Sequence, residues 1–310
     1  MRNGGTTKIR LNGERAWRAA PRFRVFVMLA PALVVIGGLF VGGLVLALAQ
    51  SLGYFPAGGE NAFTFRHYQA LLFDEEFLQS LLLTFVLASV ATIISAGLGL
   101  ALALALREVA GRHRFVGVLL QIPLAMPHLV VGVILINFIA PSGFIARLAF
   151  AVGIISLPAD FPLLTNDAYG FGIISAYVIK ETPFIALMTL AVLLRTGQEY
   201  ELAARTLGAN RRQRLRYVTL PLVAPAVVSS ALLVLAFIFG AFEIPFLLGR
   251  TYPAMLSVVA QRRFTSVNLS ERPDALAVAV CLALVATLLV YVYMRLARVL
   301  IGTTKPTMFT

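Results

Sequence analysis

Residues 198–225 read QEYELAARTLGANRRQRLRYVTLPLVAP, a polar, arginine-rich island between two runs apolar enough to cross a bilayer. Good helix formers fill 199–207, with Glu199 and Glu201 in the first turn, where the helix dipole favours acids. Gly208 suits the position after a helix end, which takes a left-handed backbone, and Asn210 can cap a second helix starting at Arg211. The spacing therefore predicts helix, sharp turn, helix. Ala203, Ala204 and Leu207 form a shallow apolar stripe on the first helix, and Arg211, Arg212, Arg214 and Arg216 make the second basic. Pro221 and Pro225 mark entry into the next apolar run, proline being accepted in a first helical turn. From composition alone, such a segment is an interfacial helix resting on anionic lipid.

The rest of the chain fixes the setting. Of 310 residues, 59% are hydrophobic and 13% charged, and the mean hydropathy is +0.88, which fits no soluble class. The net charge of +12 does not point to nucleic acid, because the basic residues cluster at the ends of apolar runs. The single cysteine, Cys281, lies in an apolar run, which rules out an intrachain disulfide or a multi-cysteine metal site.

Apolar runs of spanning length occur at roughly 25–50, 78–106, 115–140, 169–194, 222–248 and 274–298, each reaching the about 20 residues a crossing needs. Six crossings place both termini on one side. Nineteen lysines and arginines fall in the two tails and the even-numbered loops, against six in the odd-numbered loops, so the termini and the 198–225 island are expected in the cytoplasm. The first apolar run is too long for a signal-peptide core and lacks a cleavage site, so it is expected to be retained. The expected organisation is a basic tail over 1–24, an all-α six-helix membrane domain over 25–300 with the polar loop at 198–221, and a short tail over 301–310. The apolar stretch 144–155 is too short to span and is expected to lie in the interface or dip back. Most of the acids of the first external loop, Glu60, Asp74, Glu75 and Glu76, read as a solvated face. Gly37-Gly38 and Gly42-Gly43 read as packing glycines, and Pro183 and Pro245 as kinks beside a path.

The island resembles the cytoplasmic loop of the membrane subunits of binding-protein-dependent ABC importers, whose motif runs Glu-Ala-Ala, three residues, Gly, nine residues, Ile, one residue, Leu-Pro. Ala203-Ala204, Gly208, Val218 and Leu220-Pro221 stand at those spacings. The motif's glutamate falls on Leu202, with Glu201 one place early, which puts in doubt the salt bridge that the family glutamate would make. The resemblance covers about 65–300. It implies a type I importer permease of the bacterial inner membrane, whose loop is a coupling helix seated in a cleft of a separate ATPase. Glu201, Ala203, Ala204, Leu207, Gly208, Arg211, Leu220 and Pro221 are then the expected coupling residues. The implied partners are an ATPase dimer carrying the ATP and Mg, a second permease and an extracytoplasmic solute-binding protein.

Ionisable residues inside a span cost about 2.5–3.5 kcal/mol at the centre, so each is a candidate for function. Lys180 and Glu181 fall about eleven residues into the fourth run, roughly 16 Å deep. Being adjacent on a helix they do not face each other. Glu243 lies near the outer end of the fifth run. Their bland reading is bonding between helices for Lys180 and Glu181, and snorkelling for Glu243. The functional one is a passage lined by Lys180, Glu181 and Glu243, the acids favouring a cationic solute. The sequence around 175–184 and 240–249 resembles the spermidine and putrescine group, whose relatives carry iron, thiamine or aminophosphonate; Lys180 argues the other way, for an anionic group. His128 reads as a satisfied interior histidine.

No G-x-x-x-x-G-K-[ST] phosphate loop occurs, so ATP chemistry is expected in a partner. No external segment exceeds about 30 residues, so solute capture is expected to be delegated too. No nucleophile and base pairing or metal-ligand cluster suggests an enzyme. The chief alternative is an ion-gradient-driven carrier or channel, in which Lys180, Glu181 and Glu243 relay ions and the arginine loop holds lipid.

Overall fold

The computed structural model describes residues 20–113 and 115–302; the tail over 1–19, Arg114 and residues 303–310 lie outside it. The described chain is helical almost throughout. Helix α1 (Ala20–Ile36) passes through a π-helical turn (Gly37–Val41) into α2 (Gly42–Ser51). A two-residue β-hairpin, β1 (Tyr54–Phe55) with β2 (Glu60–Asn61), leads to α3 (Arg66–Phe73) and the long α4 (Glu75–Arg112). Then come α5 (Phe115–Ala125), α6 (His128–Ile139), α7 (Phe144–Ala151) and α8 (Phe171–Val192). The polar loop forms α9 (Gln198–Thr206) and α10 (Arg211–Arg214), and α11 (Leu220–Gly240), α12 (Glu243–Leu248), α13 (Leu256–Phe264) and α14 (Arg272–Gly302) complete the chain.

Six stretches are long and apolar enough to cross a membrane: Val27–Ser51, Glu75–Gly111, His128–Ala151, Phe171–Arg195, Arg211–Gly240 and Leu269–Arg295. The third of these joins α6 to α7 across a turn, and geometry corrects it. A Cβ on Gly170, where α8 starts, would meet Leu87, and one on Gly99, further along α4, would meet Ile185. Helices α4 and α8 therefore run in the same direction, which needs one return crossing between them. At about 1.5 Å per residue, α6 spans only roughly 18 Å, whereas α5 and α6 together reach roughly 37 Å. The return crossing is α5 plus α6, and α7 is a separate short helix that adds none.

The core lies inside this bundle, where α4, α6, α8, α11 and α12 bury Tyr177, Phe239, Ile173, Ile185, Ile238 and Ile244. Small residues make the close approach possible: Ala88, Ala91 and Ala176 are fully buried, and a Cβ on Gly99 would come within 3.0 Å of the Thr182 carbonyl oxygen. Asp74 caps α4, its Oδ1 accepting from the Glu76 and Phe77 N–H groups at 2.9 and 3.3 Å. Asp167 does the same for α8, accepting from Tyr169, Phe171 and Gly172.

Several expectations change. The run 115–140 is two helices, because Pro127 lacks the N–H that would continue α5. The run 222–248 stops at Gly240, with Ala241 extended, and Ser257 Oγ donates to the Ala241 carbonyl in the gap. Pro245 is the third residue of α12, in a first turn that proline does not disturb, and so kinks nothing; α8 continues through Pro183. The glycines at 37, 38, 42 and 43 have no neighbour within 4 Å of where a Cβ would stand, so nothing described in this chain packs on them. The solvated face is also corrected: Asp74 and Glu76 reach across to α13, where Arg263 donates to Asp74 at 2.5 Å and to Glu76 at 3.3 Å, and Arg262 pairs with Glu76.

Burial raises the Asp74 carboxyl, but the hydrogen bond and charge of Arg263 and the two capping N–H groups outweigh it and hold the pKa below the ordinary value. A depressed carboxylate gives stability that is complete above its unfolded pKa and lost as pH falls through the folded one. Arg263→Ala should cost about 1–2 kcal/mol and move the acid-unfolding midpoint to higher pH, read by thermal and acid denaturation of the solubilised protein.

Candidate functional site

The loop between α8 and α11 is built from its own backbone. Helix α9 ends in a paired hydrogen-bond motif: the Ala209 N–H donates to the Ala204 carbonyl and the Gly208 N–H to the Arg205 carbonyl, both at 3.0 Å. Gly208 sits at φ +83°, a left-handed conformation that side chains resist, with nothing within 4 Å of a would-be Cβ. Asn210 then starts α10 through a reciprocal capping box, its Oδ1 accepting from the Gln213 N–H at 2.9 Å and Gln213 Oε1 accepting from its N–H at 2.8 Å. Two π-helical turns, Leu193–Gly197 and Leu215–Thr219, join the unit to the spans, and Pro221 occupies the first turn of α11 behind Leu220.

Glu201 anchors this unit. Its Oε1 accepts from Arg107 Nη1 of α4 at 2.5 Å and from Thr219 Oγ1, at the entry to α11, at 2.6 Å. Burial raises the Glu201 carboxyl, but the bonds from Thr219 and Arg107 and the charges of Arg107 and Arg214 lower it further, below the usual carboxylate range. Neighbouring helical positions differ by about 100°, so the acid that points inward at 201 leaves Leu202 pointing outward, 61% exposed. Leu207 is 87% exposed, Ala203 is exposed and Ala204 half-buried, so the apolar stripe is largely uncovered among the described residues. Arg205, Arg211 and Arg214, with Arg107, Glu108, Glu201 and Leu202, line an open cleft of about 560 Å³ over the Glu201–Arg107 pair. Nothing in the sequence names Arg107 or Thr219 as partners of Glu201; only the acid's one-place offset hints that it has an inward role.

Within the spans, Lys180 and Glu181 are both buried. Lys180 Nζ donates to the carbonyls of Pro123, Leu124 and Met126 at 2.8, 3.1 and 2.5 Å. Glu181 Oε1 lies 3.3 Å from His128 Nε2, and the His128 ring packs against Phe237 with centroids 4.6 Å apart. His128 is thus held between a carboxylate and an aromatic face. Glu243 is exposed at the first position of α12. Buried among these helices, the Tyr177 hydroxyl has no hydrogen-bond partner among the described residues.

Comparison with known proteins gives the arrangement its context. Residues 93–304 match the family described as binding-protein-dependent transport system inner membrane component. The chain is 30% identical over 220 residues to the trehalose transport system permease protein SugA of Mycobacterium tuberculosis, covering 69% of each chain. It is 28% identical over 213 residues to the sulfate transport system permease protein CysT of Salmonella typhimurium, covering 67% of this chain and 72% of that one. A chain in the crystal structure of a bacterial alginate ABC transporter, in complex with an alginate pentasaccharide-bound periplasmic protein, superposes with a TM-score of 0.75 at 20% identity, over 93% of this chain and 98% of that one. The type I importer permease fold and a multi-pass place in the bacterial inner membrane follow from the six apolar helices and these matches together. The chain belongs to the family of binding-protein-dependent transport system inner membrane components, the permease subunits of ABC importers.

Proposed function

We propose that residues 198–221 are the element through which this permease subunit is driven, docking into a cleft of a separate ATPase whose ATP and Mg supply the energy. The observation that carries this reading is a pairing of opposites: α9 is tied by Glu201 to both α4 and the entry of α11, while its outer face, with Leu207 87% exposed, is bare. A push on that face is delivered to two spans at once. Ala203, Ala204, Leu207 and Gly208 supply the contact, Arg211 and Arg205 the charge around it, and Leu220-Pro221 the stiff entry to α11. The arginine distribution supports a cytoplasmic side for this loop and both termini. A second permease completes the passage, and an extracytoplasmic binding protein delivers the solute.

The solute is small and polar, and a polyamine-like cation fits the acids best. Lys180 is committed to three carbonyls and so presents no free cation to a solute, whereas Glu243 is exposed. The relatives are named for a sugar and an oxyanion, so this preference rests on the residues of this chain alone.

Three outcomes test the reading. Gly208→Val forces a side chain into the left-handed region at about 1–2 kcal/mol of local strain and adds bulk to the docking face; it should leave the assembled importer intact, with ATP hydrolysis but no uptake, and uptake at the native rate would sink the docking assignment. Glu201→Gln keeps the shape but removes the charge-assisted bond to Arg107, and should lower uptake per ATP several-fold. The native carboxylate, held ionised by its partners, should keep that coupling flat with pH until acid reaches its lowered pKa, where the anchoring is lost. For the solute, calorimetry on the cognate binding protein should show a polyamine binding; a protein that takes only anions removes the polyamine preference.

A further inference from the structure

The third crossing is interrupted at its middle, and two charged side chains of α8 meet the break. Pro127 has no N–H, so the Pro123 carbonyl four residues earlier loses its helical donor. Helix α5 ends there, so the carbonyls of its last turn lack helical donors, and within a membrane each such group left unsatisfied costs several kcal/mol. Lys180 Nζ donates to two of them, Pro123 and Leu124, and to the Met126 carbonyl just past the helix end, at 2.5–3.1 Å. A carbonyl end of a helix carries partial negative charge, and the cation sits on it; on the other side of the break the carboxylate of Glu181 lies 3.3 Å from the imidazole Nε2 of His128, the first residue of α6. Side chains about 100° apart on α8 thus hold the two sides of one broken helix, Lys180 through backbone carbonyls and Glu181 through a side chain.

The break also separates two sets of neighbours. Helix α5 packs on α8 and α4, whereas α6 packs on α12, α7 and α8. Helix α8 packs on both halves, and at the junction it presents Lys180 and Glu181. We propose that Lys180 and Glu181 are positioning residues that fix the angle between the two halves of the third crossing, with Lys180 replacing the hydrogen bond that Pro127 removes. In this role Lys180 touches backbone and no solute.

Restoring the missing N–H tests it. Spin labels on cysteines at Leu119 of α5 and Val133 of α6, both exposed, in a Cys281→Ala background, report the angle as a distance distribution in the full-length protein in nanodiscs. The native distribution should be narrow. Lys180→Met should broaden it and lower the yield of folded protein roughly tenfold, the scale of one unsatisfied buried carbonyl. Pro127→Ala, which supplies an N–H to the Pro123 carbonyl, should narrow the distribution again and recover yield when combined with Lys180→Met. If Lys180→Met alone does not accumulate, accumulation of the double variant supports the proposal. A distribution unchanged by Lys180→Met, or a defect in the double variant equal to that of Lys180→Met, overturns it.

Discussion

A peptide carbonyl inside a bilayer has no water to turn to, and much of this fold answers to that restriction. Helices meet it for most of the chain. Where they cannot, at Pro127 and again after Gly240, a side chain from another element meets it: Lys180 on the end of α5 and Ser257 on the Ala241 carbonyl. The two interruptions lie on either side of α8 in sequence, and the helices that follow them, α6 and α12, pack against each other and against α8. Discontinuity in this bundle is therefore concentrated around one continuous helix.

The ends of the long α4 carry the other constraint. At its start Asp74 and Glu76 fasten α13 through Arg262 and Arg263; at its far end Arg107 fastens α9 through Glu201. Both are charged contacts outside the apolar zone, where water softens the cost of burying them, and both join elements far apart in sequence. One helix is thereby fixed at its two ends to the two sets of short helices that flank the spans. Helix α4 thus connects α9 at one end with α13 at the other.

Much of this was legible in the residues. Run lengths gave the number of crossings, and the Asn210 cap and Gly208 turn are local signals that no distant residue overrides. The breaks inside the third and fifth runs were hidden because the helices that follow them, α6 and α12, continue an apolar stretch, so hydropathy passes over the interruptions. The role of Asp74 and Glu76 was misread because their arginine partners lie 186–189 residues away. Leu202 at the motif's acid position marked a departure from the pattern, but where Glu201 points depends on the fold around it. For Lys180 the sequence showed both the cost of the charge and the proline that explains it, 53 residues apart in the numbering, with nothing local to connect them.

That separation has an order. The acceptors on α5 precede their donor by 54–57 residues, and a chain made from its N-terminus places them in the membrane first. The fourth crossing has the lowest mean hydropathy of the six, 1.6 against 2.3–2.8 for the others. Its charges thus arrive beside carbonyls that are already waiting, and the crossing least able to enter lipid by itself is the one whose lodging has been prepared by the segment translated before it.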